Sequence, residues 1–119
     1  MDLTQAIQDL KQLPGFTENV GMMLIHNGVV RGTSRNDSSR VTKLEVAPDR
    51  GKIQSIQEEF EAKQGIFKIL IEAKQGVFTP GEDLLYIVVA GDIRENISPV
   101  LNQVLNRVKT EAIHKKEYS

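Results

Sequence analysis

The sequence contains no cysteine. That excludes a disulfide, a thiolate metal site and a cysteine nucleophile, and it fits a reducing compartment. No stretch approaches the roughly 20 apolar residues of a membrane span. Positive charge is not in excess: 15 basic side chains stand against 16 acidic ones, for a net charge of −1. A nucleic-acid-binding domain is usually plainly basic, so that class is not indicated. The two histidines, His26 and His114, are too far apart to form a metal-ligand spacing. No glycine-rich phosphate loop follows a strand, and no Ser–His–Asp order is readable. The opening MDLTQAIQDL is acidic and amphipathic, unlike a signal peptide. The expectation is a cytoplasmic protein of one domain, residues 1–119, with no nucleic acid, membrane or metal as partner.

What is present is periodic apolar sequence. Leu3, Ala6, Ile7, Leu10 and Leu13 share a helical face, with Asp2 or Thr4 as cap and Pro14-Gly15 as stop. Residues 19–32, NVGMMLIHNGVVRG, read as a long strand interrupted at Gly28. Residues 33–40 are a polar loop, and 41–47 alternate as a strand. Pro48-Asp49 opens a second helix carrying Ile53, Ile56 and Phe60, closed by Gly65. IFKILIEA and DLLYIVVAG read as strands, joined by a turn around Pro80-Gly81. The near-continuous apolar run of the second implies cover on both faces.

The last helix carries Ile97, Val100, Leu101, Val104, Leu105, Val108 and Ala112 on one stripe. Pro99 suits a first turn, which places the helix start near Ser98. The order α-β-β-α-β-β-α predicts an α+β fold with helices on a mainly antiparallel sheet. The heptad EAKQGIF at 61–67 recurs as EAKQGVF at 72–78. One copy spans a helix end and the other a strand end, so the likeness is one of composition rather than a repeat.

Basic residues collect at element ends. Arg31 closes a strand beside a loop holding Arg35 and Arg40, and Arg94 leads into the last helix. Lys109 sits late in that helix, beside its apolar stripe, and Lys115 and Lys116 follow. Each C-terminal lysine alone suits the helix dipole. Together they could hold an anion such as phosphate, and a desolvated lysine among cations could act as base or nucleophile. His26 reads as a packed or edge residue of its strand, and Glu58, Glu59 and Glu61 as a solvated helix face.

Four ordered segments resemble the large, catalytic subunit of molybdopterin synthase, the MoaE family. They are Gly28-Val29-Val30-Arg31 at a strand end, GVFTPGEDLLYIVVAG, the long helix entered at Arg94, and VKTEAIHKKE. The resemblance implies an α/β hammerhead-like domain with an antiparallel sheet. It implies conversion of cyclic pyranopterin monophosphate to molybdopterin, with sulfur from a thiocarboxylated C-terminal Gly-Gly on a small ubiquitin-like subunit. It implies a homodimer within a heterotetramer, and no metal or cofactor in this subunit.

By the same resemblance Lys109 matches one catalytic lysine, and Lys115 or Lys116 the other. Anchoring on Lys-Lys-Glu selects Lys115, while keeping the distance from Lys109 selects Lys116. Arg31 and Arg94 match anion-binding arginines, with Ile93 where the family has histidine. Lys74 stands in the family's His-Arg-x-Gly signature, which reads Ala73-Lys74-Gln75-Gly76 here, and is a candidate for binding the substrate anion in place of the His-Arg pair. His114 replaces an aromatic residue, and LEVAPDRGKIQSI departs from the family's Met-Ala segment. These departures suit an alternative, a non-catalytic dimeric binding or regulatory paralogue on the same fold.

Overall fold

The computed structural model describes residues 2–119. Its elements run α1 (Leu3–Lys11), α2 (Phe16–Asn19), β1 (Met22–Val29), β2 (Lys43–Pro48), α3 (Arg50–Glu61), β3 (Ile66–Ala73), β4 (Gly76–Phe78), β5 (Asp83–Gly91) and α4 (Arg94–Arg107). A π-helical turn (Val108–Ala112) and a last strand, β6 (Ile113–Tyr118), follow. The fold is α+β, and all strand pairing is antiparallel. The strands form two sheets of three, ordered β1-β5-β3 and β4-β2-β6.

Helix starts follow their caps. Asp2 accepts from the Gln5 amide and Asp49 from the Lys52 amide, each satisfying an otherwise orphaned N–H. β5 is central in its sheet and buried from Leu84 to Gly91. Leu85, Ile87 and Val89 join Ile56, Phe60, Ile97, Val104 and Val108 in the core between sheet and helices. Each such side chain contributes roughly 1.5–3 kcal/mol by burial. On the sheet's other face α1 lies beside Lys68 and Leu70 of β3.

The outer edge of β3 is closed by α3. The Gln57 amide donates to the Ile69 carbonyl, Glu61 accepts from the Ile69 amide, and Arg50 donates to the Ala73 carbonyl. Side chains thereby occupy backbone groups that would otherwise template another strand. The two EAKQG copies lie in different structure. Glu61 ends α3 and leads to Gly65, whose φ of 80° suits glycine, whereas Glu72 lies within β3.

Three expectations need correcting. The last helix starts at Arg94, not near Ser98, so Pro99 lies in its second turn. Proline there cannot bond the Glu95 carbonyl, but Glu95 is exposed and water can serve instead. Nor does the α-helix carry its stripe through Ala112: it ends at Arg107, widens into the π turn and becomes β6. β4, expected as turn, and the short α2 are the other additions to the order α-β-β-α-β-β-α.

β6 pairs with β2 from Lys43↔Tyr118 to Pro48↔Ile113. Alternation along it sorts its side chains onto two faces. Lys115 lies opposite Val46 and Glu117 opposite Leu44, both buried residues of β2, while Lys116 lies opposite exposed Glu45.

Candidate functional site

A cavity of about 670 Å³ opens where β1 ends, the loop after it folds back, and the π turn passes into β6. Val30, Val41, Leu44 and Leu84 form apolar walls, and Arg31, Arg35, Lys109, Lys115 and Glu117 bring the charge. Four cations against one carboxylate give this cavity an excess of positive charge, which suits an anionic ligand.

Each charged group is placed by its local structure. Arg31 follows Val30, whose amide donates to the Glu82 carbonyl and whose carbonyl accepts from the Gly81 amide. The loop from Gly32 to Val41 is a compact turn: the Ser34 amide donates to the Ser39 carbonyl, and Thr33 bridges Arg40. Ser34 is buried, and its hydroxyl donates to Glu117 at 3.0 Å. This contact fixes the loop carrying Arg35 against β6.

Lys109 projects from the π turn between buried Val108 and Ala112. The turn itself is braced from α3. Arg107 bonds Glu59 and Glu111, Lys52 pairs with Glu111 at 3.2 Å, and the Asp49 amide donates to the Ala112 carbonyl. The extra residue per turn re-aims the chain just before β6 begins.

The electrostatics follow from this crowding. Desolvation by the cavity walls lowers the pKa of Lys115 below the usual lysine value, and nearby Lys109 and Arg35 lower it further. Glu117 acts in the opposite direction. Burial lowers the pKa of His26 first, with Lys109 and Lys115 adding to it. Burial and the two neighbouring lysines thus favour the neutral imidazole of His26.

Of the residues expected from sequence, the cavity brings together Arg31, Lys109 and Lys115. Lys116 is not among them: it lies on the opposite face of β6, its Nζ 5.3 Å from the Tyr118 ring centre. Lys74 is also elsewhere. Its Nζ sits 5.7 Å from the ring centre of Tyr86, whose hydroxyl donates to Asp83. Arg94 is 77% exposed at the far end of α4, and at about 1.5 Å per residue the helix carries it roughly 20 Å from Lys109. Within one chain, then, Lys74, Arg94 and Lys116 do not share the cavity.

Sequence reading missed Ser34 and Glu117 as parts of this wall. Only the spacing of Glu117 two residues after Lys115 carried a signal, and only once the segment is a strand. Among the described residues no group of three or more His, Asp or Glu could hold a metal ion, and no helix is long and apolar enough to cross a membrane.

A family model described as MoaE protein matches residues 1–111. This chain belongs to the MoaE family. A curated relative, a probable molybdopterin synthase of Haloferax volcanii, is 29% identical over 102 residues. That match covers 82% of this chain but 39% of the relative, so the chain spans well under half the relative's length.

Solved structures share the fold. Molybdopterin synthase from Staphylococcus aureus superposes with a TM-score of 0.79 at 18% identity, covering 99% of this chain and 85% of that one. The MoaE protein of Burkholderia ambifaria MC40-6 gives 0.77 at 21% identity, over 100% and 78% of the two chains. A complex of subunits 1 and 2 of molybdopterin-converting factor from Helicobacter pylori 26695 gives 0.72 at 16%, over 98% and 78%.

Proposed function

We propose that this chain is the catalytic subunit of a molybdopterin synthase. It would convert cyclic pyranopterin monophosphate to molybdopterin with sulfur from the thiocarboxylated Gly-Gly terminus of a small ubiquitin-like subunit. The observation that carries this reading is the convergence of Arg31, Lys109 and Lys115 on one cavity in a chain of this family.

Each side chain has a task suited to its position. Arg31, with Arg35 in the same lining, can hold the substrate phosphate by charge-assisted hydrogen bonds. Lys109 can stabilise the negative charge that builds as the thiocarboxylate attacks. Lys115, whose lowered pKa brings it nearer to neutrality, is suited to exchanging a proton with the reacting centre. Leu44, Val41 and Leu84 exclude water from one wall and strengthen these interactions. The assembly is a homodimer of this chain within a heterotetramer, in the cytoplasm. Reconstitution with thiocarboxylated small subunit and substrate tests the reading, with molybdopterin as the readout.

A further inference from the structure

One polar atom near the cavity has no task in this scheme. His26 Nε2 is buried and has no hydrogen-bond partner among the described residues. Buried polar atoms are normally satisfied, so an orphan needs a reason.

Strand geometry gives its direction. His26, Gly28 and Val30 lie on one face of the strand, and Val30 lines the cavity. A Cβ at Gly28 would lie 3.3 Å from His26 Nε2 and 3.3 Å from Leu85 Cβ. The imidazole therefore leans along the strand over a bare glycine, with its Nε2 end toward the cavity. The charged groups acting on it are Lys109 from the π turn and Lys115 from β6. The facing residues of β5, Leu85 and Ile87, carry no charge.

A positive surrounding selects the tautomer. A neutral imidazole bears one N–H and one lone pair. Facing two ammonium groups, Nε2 is favoured as the lone pair, which leaves the proton on Nδ1.

We propose that His26 is a positioning residue: its Nε2, unpartnered in this structure, accepts a hydrogen bond from the Lys109 ammonium once that flexible side chain turns inward, and holds that group at the inner end of the cavity. The proposal deepens the synthase reading and rests on it for its catalytic consequence. Its chemical part stands without substrate.

The test uses the full chain labelled with 15N-histidine. Long-range 1H–15N NMR should show Nε2 unprotonated, Nδ1 protonated and a titration midpoint below 6.5. Lys109→Ala should move that midpoint back toward 6.5 by more than Lys115→Ala does. A proton on Nε2, or a midpoint indifferent to Lys109, overturns the proposal.

In the reconstituted reaction His26→Phe should lower kcat roughly tenfold, the size of one hydrogen bond to a charged group, with KM little changed. His26→Gln, which restores an acceptor, should recover most of the loss. Wild-type kcat in His26→Phe overturns the proposal as well. NMR agreement in a protein that makes no product would instead refute the synthase reading and leave the hydrogen bond standing.

Discussion

The Ser34 hydroxyl donates a 3.0 Å hydrogen bond to the Glu117 carboxylate, joining the loop after β1 to the last strand. Arg35 and Lys115 flank the two ends of this bond, and all four residues line the cavity. Ser34→Ala should therefore loosen the Arg35 loop. The expected cost is about 1 kcal/mol of stability, with faster amide exchange over residues 33–40 and a raised KM. Unchanged exchange in that loop would mean the bond does not hold it. Glu117→Gln should also lower the Lys115 pKa further, because Glu117 is the one group that raises it.

Strand alternation separates two adjacent lysines. Lys115 faces the cavity, and Lys116 stacks near Tyr118 on the outer face. Lys115→Ala should lower kcat by a factor on the order of 10² or more, the size expected for one lost stabilising donor. Lys116→Ala should stay within about twofold of wild type, since an exposed cation–π contact contributes only about 0.5–1 kcal/mol. The reverse order of effects would place the wrong face of β6 in the site.

Acid should destabilise the protein partly through His26. Its folded pKa lies below 6.5 because burial, then Lys109 and Lys115, disfavour the imidazolium. A depressed folded pKa gives stability that is present above the unfolded value and lost as pH falls through the folded one. The melting temperature should therefore drop more steeply with acidification below 6.5 in wild type than in His26→Phe. Calorimetry across this range reads the difference, and parallel curves would contradict it.

Gly28 and His26 should be coupled. A methyl group at Gly28 meets Nε2 and Leu85, so one of them must give by a few tenths of an ångström. Gly28→Ala should cost about 1 kcal/mol or more, within the usual range for overpacking. The same change in a His26→Ala background should cost less. Denaturant unfolding of the four variants measures this coupling, and strict additivity would show that the ring does not occupy that space.

Much of the fold was legible because periodicity and caps agreed. Asp49 before Ile53, Ile56 and Phe60 marked α3, and the apolar run 83–91 marked the buried central strand. The end of the chain was not legible. Val108 and Ala112 are four apart and both buried, so they extend the helical stripe through a segment that is a π turn. β6 has only Ile113 and Tyr118 as apolar residues, and pairing with β2 makes it a strand where its own pattern does not. That hid the facing of Lys115 against Lys116. It also hid Glu117, whose partner Ser34 lies 83 residues away. Arg31 and Lys109 were readable as residues of interest, but their approach depends on contacts no local pattern encodes.

Turnover in the reconstituted system tests the central claim most directly. Wild-type protein, thiocarboxylated small subunit and cyclic pyranopterin monophosphate should yield molybdopterin, and Lys109→Ala should abolish it while the fold and small-subunit binding persist. Wild-type protein that binds the small subunit yet forms no molybdopterin would contradict the account and leave a non-catalytic binding module.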